Sequence, residues 1–588
     1  MIATGLKQTK EPSQRLSQNP SQSMDAPDAR RRTRATALGL ALMAIALYAP
    51  LIGWGAPQAT APNRIKTFAT DEILPLETLA EMRNTFIVSK PDRNYGYPWW
   101  HYFVVAVAQS PYLGYLRLSG GMQAPSPEYP FGLQDPVRAL RILTLIGRMV
   151  SVLMAAGVVV AAYYFADILW GRQAGVITAA LTMLNYLMFY YSRTGNLDVP
   201  VFFWSGVGLA IFAKIMVGGL TARRAAHLGV FAGLAMATKD QAVVIFLPLG
   251  CCLLLPRLIP LSGTSARWRP ILVGLAASLV AYGVGTGLVV DPQRHLTHVY
   301  ALFFDPQRLT GAASYWPRRP QTWAGTMSLL GDYLRKLAAM ASPPLLLTSV
   351  AGALLALRFK PRLLILLLPV AALFVMLLWP TGGVVLRYLL PLALIINAFA
   401  AYALIEMRRS RLRPLWVPLL VILCGWQLLI GVDLTYAQYY DTRYEATAWF
   451  ERERPRGARV EYFGAAETMP HLPADIISRP VAGRSQWVGK FGHGPDVLRY
   501  LAREGPEYVV IIPDWTSQPG MERSADCPPE VYAALKDGAI GYGQAAFFAP
   551  RSLLSGWRSR PPLDNPSVCP PVRIFARRDV LNRTKTQP

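Results

Sequence analysis

Residues 139–166 read ALRILTLIGRMVSVLMAAGVVVAAYYFA, a run broken by only two charges, Arg141 and Arg148. A helix rises about 1.5 Å per residue, so about 20 apolar residues cross a hydrocarbon core roughly 30 Å thick. A soluble core does not require a run of this length. Comparable runs lie on either side, near 35–54, 173–191, 198–217, 226–238, 242–258, 271–290, 343–357, 363–379, 388–405 and 415–432. Together they predict an all-α polytopic membrane protein of about eleven transmembrane helices. Composition agrees, with 53% hydrophobic and 16% charged residues, against roughly 25% charged in a typical soluble domain.

The formal charge is +24, from 59 Lys and Arg against 35 Asp and Glu. In a soluble chain such an excess points to nucleic acid. Here the cations gather in short connections between apolar runs, with no Lys-rich arm and no basic stripe interleaved with aromatics, so a nucleic-acid partner is set aside. Read alternately, the inner connections hold Arg172, Arg223, Arg224, Arg257, Arg267, Arg269, Arg358, Lys360, Arg362, Arg408, Arg409, Arg411 and Arg413. The short outer connections hold one cation each, Arg193, Lys239 and Arg387. This bias predicts a cytoplasmic N-terminus, and an odd number of spans sends the C-terminus outside. Arginine outnumbers lysine, as GC-rich bacterial coding favours, so the expected location is a bacterial inner membrane.

Residues 1–34 are polar, rich in Pro, Ser and Gln, and end in Arg30-Arg31-Arg32-Thr33-Arg34, which predicts a disordered cytoplasmic tail. The run that follows is too long for a signal-peptide core and lacks a cleavage site, so it is read as an uncleaved first span. The transmembrane domain is expected over 35–432, with two long outer loops at 55–138 and 291–342. Within the first, Asp71 to Phe86 has helical apolar spacing, and Trp99-Trp100-His101-Tyr102-Phe103 begins a stretch suited to a membrane surface. Residues 433–588 are more polar and predict a small α/β domain on the extracytoplasmic (periplasmic or extracellular) side. Its expected elements are helices over Thr442–Arg454 and Pro495–Arg503 and strands over Arg459–Phe463 and Tyr508–Ile512, arranged as a βαβ unit. No Gly-rich phosphate fingerprint follows either strand, which argues against nucleotide binding. Cys251, Cys252 and Cys424 fall in apolar runs, whereas Cys527 and Cys569 share the polar region, where an oxidising compartment would allow a disulfide.

Charged side chains at membrane depth are costly and mark functional candidates. Four groups fall at outer span ends: Asp71-Glu72, Arg193-Thr194-Gly195-Asn196-Leu197-Asp198, Lys239-Asp240, and Arg387-Tyr388. Each has a local structural explanation. The acidic pair and Asp198 suit helix N-termini, Lys239 and Asp240 could pair or snorkel, and Arg387 could anchor a helix at the interface. Arg148, inside a span, is read as internally paired. Two carboxylates and three cations meeting at one face nevertheless favour a polar site, in which carboxylates suit proton abstraction or metal binding and fixed cations suit a phosphate leaving group.

In order and spacing these motifs resemble the membrane-embedded GT-C glycosyltransferases. The nearest likeness is to the phospholipid-carrier-dependent branch that contains protein O-mannosyltransferases and the lipid A aminoarabinose transferase. The resemblance covers about residues 36–432. It implies a glycosyltransferase that moves a sugar from a polyprenyl-phosphate donor to an acceptor glycan, lipid or protein on the extracytoplasmic face. Carried over residue by residue, it makes Asp71 the catalytic base with Glu72 beside it, gives Asp198 the second-loop role of orienting the acceptor or helping to hold a cation, and puts Lys239 and Arg387 near the carrier phosphate. Arg193, His101 and Tyr388 are expected to line the site. No cofactor is required; a divalent cation is allowed, and Asp71 and Asp198 would be its ligands. Two departures stand out. Pro75 follows the acidic pair closely, and Asn94-Tyr95-Gly96-Tyr97-Pro98-Trp99-Trp100-His101 only approximates the Tyr- and Pro-rich stretch of the group. A rival class is a multi-span transporter or lipid flippase, although transporters place their ionisable groups near the bilayer midplane, in repeated halves.

Overall fold

A computed structural model describes residues 27–86, 97–261, 267–304, 322–378, 384–453, 455–481, 494–514, 527–555 and 568–585. The chain forms a helical body followed by a five-stranded sheet. At the centre of the body stands the helical stretch Leu386–Arg409, whose most apolar window is 94% buried, against 17% for Trp268–Gly285 at the periphery. Leu272, Leu275, Leu279 and Val280 of the peripheral helix are exposed, as a hydrocarbon-facing surface requires. That helix packs on Ala222–Thr238 through small residues: a Cβ added at Gly229 would lie 2.0 Å from the Gly274 carbonyl oxygen. Close backbone approach through small residues is how apolar helices associate where burial supplies no driving force.

Among the described residues, five helices are long and apolar enough to cross a membrane, or six if the pair Trp323–Ala341 and Pro343–Phe359, bent by 102°, counts as one. Three of the expected eleven runs are broken for local reasons. The run near 173–191 is split at Asn185, whose side chain accepts from Leu187 N and caps the second piece. The run near 242–258 has a 3₁₀ start at Asp240–Ala242 and an α-helix of ten residues, Val243–Cys252. The run near 363–379 also begins as 3₁₀ helix, over Pro361–Leu367. At the N-terminus the first helix begins at Pro27, so residues 27–34 are helical, not an extension of a disordered tail; residues 1–26 lie outside the described residues.

The helix expected over Asp71–Phe86 forms only over Glu77–Phe86. Asp71 has φ of 58°, a left-handed conformation that ends any helix, and Pro75 disfavours helical geometry at the residue before it. In the C-terminal region the sheet order is β2-β1-β3-β5-β4, with β1 Arg459–Phe463, β2 Ile477–Pro480, β3 Tyr508–Ile511, β4 Tyr542–Phe548 and β5 Val572–Arg577. β1 pairs in parallel with β2 and β3, while β5 runs antiparallel to β3 and β4. Along β3, Tyr508 and Val510 enter one apolar cluster and Val509 and Ile511 the other, so both faces are covered and the strand reads as an unbroken apolar run. The disulfide considered between Cys527 and Cys569 is not formed: both are free and sit in different clusters.

Candidate active site

Two connections meet at one end of the body because hydrogen bonds tie them together. Ile73 N donates to Gly195 O at 3.3 Å, and the Asn196 side-chain amide donates to Thr70 O at 2.8 Å. Between these bonds lies Glu72. Its carboxylate accepts from Arg148 Nε and Nη2, both at 2.7 Å, from Gly195 N at 2.7 Å, and from the Thr67 hydroxyl. Arg148 is fully buried and spends its remaining nitrogen, Nη1, on the carbonyls of Ile52 and Trp54 at 2.8 and 2.6 Å. A Cβ at Gly195 would stand 3.1 Å from Glu72 Cγ and Oε1, which is why the turn carries glycine here.

This stitching leaves Asp71 with its backbone in the left-handed region. Among non-glycine residues Asp and Asn enter it most readily. Its carboxylate, 42% exposed, forms an ion pair with Arg387 Nη1 at 2.5 Å. Asp198 opens the helix Asp198–Gly218 and pairs with Lys239 Nζ at 2.7 Å, both side chains about 95% buried. Lys239 leaves the helix Ala222–Thr238 with extended backbone. Arg387 and Tyr388 stand on a 3₁₀ segment, Leu386–Leu392, that contains Pro391; proline lacks the N–H that an α-helical bond would need. The Tyr388 ring joins the two cations, with Lys239 Nζ 5.0 Å and Arg387 Cζ 5.9 Å from its centroid.

Two spaces adjoin these pairs. One is a cavity of about 310 Å³ whose lining includes Asp71, Glu72, Lys66, Glu77, Glu81, Tyr97, Tyr102 and Glu467. The other is a narrow slot with mainly apolar walls (Val201, Val244, Ile245, Leu373, Leu392), closed at its polar side by Asp198, Arg387 and Tyr388. Arg387 thus faces the slot while its ion pair reaches Asp71 in the cavity. The segment that follows the seventh expected span also packs here. Its helix Pro292–Phe303 is tied down by Arg294–Glu81 at 2.8 Å and by His298 Nε2 to Asp240 at 3.0 Å.

Asp71, Glu72, Asp198, Lys239, Arg387 and Tyr388 are therefore brought together. Arg193 and His101 are not. Arg193 turns away to donate to Leu47 O, Tyr48 O, Thr435 and Gln438. His101 is 1% exposed on the packed face of Trp100–Leu118 and lines neither space. Asp71 does not cap a helix, since the next one starts at Glu77. Arg148 is paired internally, and its partner proves to be Glu72. Glu467, from the C-terminal region, reaches the cavity with no sequence signal to announce it. Among the described residues no group of three His, Cys, Asp or Glu side chains is placed to hold a metal ion; Asp71 and Asp198 each face a cation instead.

The chain has only distant likenesses among solved structures, at 16% identity or less. Among solved structures it is similar to ArnT from Cupriavidus metallidurans bound to undecaprenyl phosphate, at 13% identity over 92% of this chain and 97% of that one, with a TM-score of 0.45. It is also similar to the oligosaccharyltransferase AglB from Archaeoglobus fulgidus in complex with an inhibitory peptide and a dolichol-phosphate, at 13% identity over 88% and 73% of the two chains, TM-score 0.42. A third is the arabinofuranosyltransferase AftD from Mycobacteria, at 16% identity over 92% of this chain and 41% of that one, TM-score 0.41. No family model matches the sequence, and no curated protein matches it.

Proposed function

We propose that this protein is a membrane glycosyltransferase that moves a sugar from a polyprenyl-phosphate donor to an acceptor on the extracytoplasmic face. The observation that carries the reading is the position of Arg387: its guanidinium closes an apolar slot and is ion-paired with a carboxylate in a separate polar cavity. The slot is only about 10 Å³, so a lipid enters by parting its apolar walls; its phosphate suits Arg387 and Lys239, and a polar acceptor suits the cavity. The acceptor hydroxyl or amine attacks the anomeric carbon while the bond from that carbon to the phosphate oxygen breaks. Asp71 takes the acceptor's proton, and the bonding pair leaves with the polyprenyl phosphate. Lys239 and Arg387 are fixed charges that stabilise the developing phosphate anion. A donor phosphate that draws Arg387 away frees the Asp71 carboxylate to face the acceptor. Direct displacement inverts the anomeric carbon. These steps do not require a metal.

Glu72 acts here by holding Asp71, since its own carboxylate is already engaged by Arg148, Gly195 and Thr67. Asp198 keeps Lys239 in place and orients the acceptor side. The reading also places about eleven crossings in the membrane, the N-terminus in the cytoplasm, and the small α/β domain on the outer face of a bacterial inner membrane.

Transfer is tested with radiolabelled polyprenyl-phosphate sugars and a lipid extract as acceptor source. Label that moves into an acceptor supports the reading; label that crosses a vesicle bilayer still on its carrier would support a flippase instead. Orientation is tested with an impermeant thiol reagent on intact cells. Arg223→Cys and Arg411→Cys should be shielded and Pro480→Cys should label, and the reverse pattern would put the site on the wrong side.

A further inference from the structure

Between the cavity and the C-terminal sheet lies one guanidinium fully withdrawn from solvent. Arg443 and its ion-pair partner Asp441 both have side-chain exposures of 0%. Arg443 Nε and Nη2 donate to the two Asp441 oxygens at 2.8 and 2.7 Å. The same carboxylate accepts from Trp54 Nε1 at 3.2 Å and Cys569 N at 3.0 Å. Nη1 remains, and it donates to two backbone carbonyls, Phe68 at 3.4 Å and Glu467 at 3.2 Å. Phe68 begins the short segment that ends in Asp71, and Glu467 lines the same cavity as Asp71. A single nitrogen therefore touches the loop bearing the acid and the C-terminal segment that forms part of the cavity wall.

The packing around this nitrogen holds the loop from its other side. Arg443 Cζ lies 3.7 Å from the centroid of the Phe68 ring, and that ring stacks on His471 at 4.4 Å. Burial, with the Arg443 charge adding to it, pushes His471 down to about 3, so the imidazole is neutral at physiological pH and does not repel the cation. A planar guanidinium can grip a carboxylate with two nitrogens and still offer a third in a fixed direction. A lysine keeps the charge but not that fork.

We propose that Arg443 is a positioning residue for sugar transfer, fixing the Phe68–Asp71 segment against the Glu467 wall so that the C-terminal region completes the active cavity. The proposal rests on the assignment of Asp71 as the base. Arg443 acts through the loop and touches no reacting atom.

The test uses the full-length protein with labelled donor lipid, comparing Arg443→Lys with wild type. Misplacing a catalytic group by about 1 Å can cost on the order of 10²-fold, so kcat should fall about 10- to 100-fold. KM for the donor lipid should stay within about twofold, because Lys239 and Arg387 are untouched. The thermal unfolding midpoint should stay close to wild type, since the charge opposite Asp441 is kept. A folded Arg443→Lys protein with wild-type kcat overturns the proposal, and so does a kcat loss matched by an equal rise in donor KM. If Arg443→Lys does not accumulate, Phe68→Leu decides: it removes the stacked ring and should lower kcat by about 3- to 10-fold, while wild-type kcat would overturn the proposal. A wild-type protein that transfers no sugar would instead sink the functional assignment itself.

Discussion

The end of the molecule that holds the candidate site contains two layers of carboxylate–cation pairs that differ in what surrounds them. At the rim, Asp71–Arg387 and Asp198–Lys239 each hold one carboxylate with a single cation, and each borders an open space. In the other two, Glu72, which also lines the cavity, accepts four hydrogen bonds and Asp441 accepts five, with side-chain exposures of 1% or less. An ionised carboxylate has about four acceptor sites. The lower pairs have used theirs, and the upper pairs have sites left for a substrate. Both layers pair a carboxylate with a cation, so it is saturation that separates groups that hold the loops from groups with acceptor sites to spare.

The most severe test of that contrast is Asp71→Asn. Asn tolerates the left-handed backbone nearly as well as Asp, so the protein should accumulate normally while turnover falls about 10²- to 10⁴-fold, the range general-base catalysis supplies. Ordinary transfer by this variant would pass the base role to Asp198. In the lower layer the loss should appear as stability instead. Arg148→Met leaves Glu72 charged and buried without its partner and should cost about 3–5 kcal/mol, read as a lowered unfolding midpoint and reduced membrane abundance. Adding Glu72→Gln should restore much of that midpoint. Normal stability of the single variant would erase the distinction between the layers.

Next in size is Arg387→Ala, expected to lower turnover about 10²- to 10³-fold as a lost preorganised charge, with little change in abundance. Lys239→Ala should lose turnover similarly but also accumulate less, because Asp198 is left buried and unpaired. Equal abundance of the two would show that the pair at Asp198 bears no structural load. The smallest effect belongs to His471. Its folded-state pKa of about 3 lies below the unfolded value of about 6.5. Its contribution to stability is therefore full above pH 6.5 and is lost as pH falls toward 3. His471→Gln should flatten that part of the acid limb in unfolding midpoints measured from pH 7 down to pH 4, and an unchanged acid limb would rule out the buried neutral imidazole.

Sequence reading picked out side chains that the fold brings together better than it picked out the elements that carry them. Asp71, Asp198, Lys239, Arg387 and Tyr388 could be picked out because ionisable groups at span ends are few and fall on one face. Arg193 met the same criterion, yet it serves to bind the end of the first helix to Gln438 and Thr435. A cation's position along the chain does not reveal which way its side chain turns. In the C-terminal region β1 was legible to the residue and β3 to within one, both being short runs rich in β-branched and aromatic residues. β2, β4 and β5 were missed. β2 has four residues and ends in Pro480, and β4 contains Gly543 and an irregularity between Gln544 and Ala546. The parts played by Arg443 and Glu467 left no local trace, because Phe68 and the Asp71 cavity that they reach lie hundreds of positions away in the chain.

The left-handed backbone at Asp71 limits how this position can drift. The residues that enter that conformation most readily are Gly, Asn and Asp, and of these Asp alone carries a carboxylate. Glutamate would keep the charge but meet a steric cost of roughly 1–2 kcal/mol and place its oxygens one carbon further along. A descendant that conserves this loop can therefore keep Asp or lose the acid altogether, with no graded intermediate. Where Asn or Gly occupies the position in a related chain, the loop can be kept while the carboxylate is lost, and a Glu there must meet the steric cost or follow a different path.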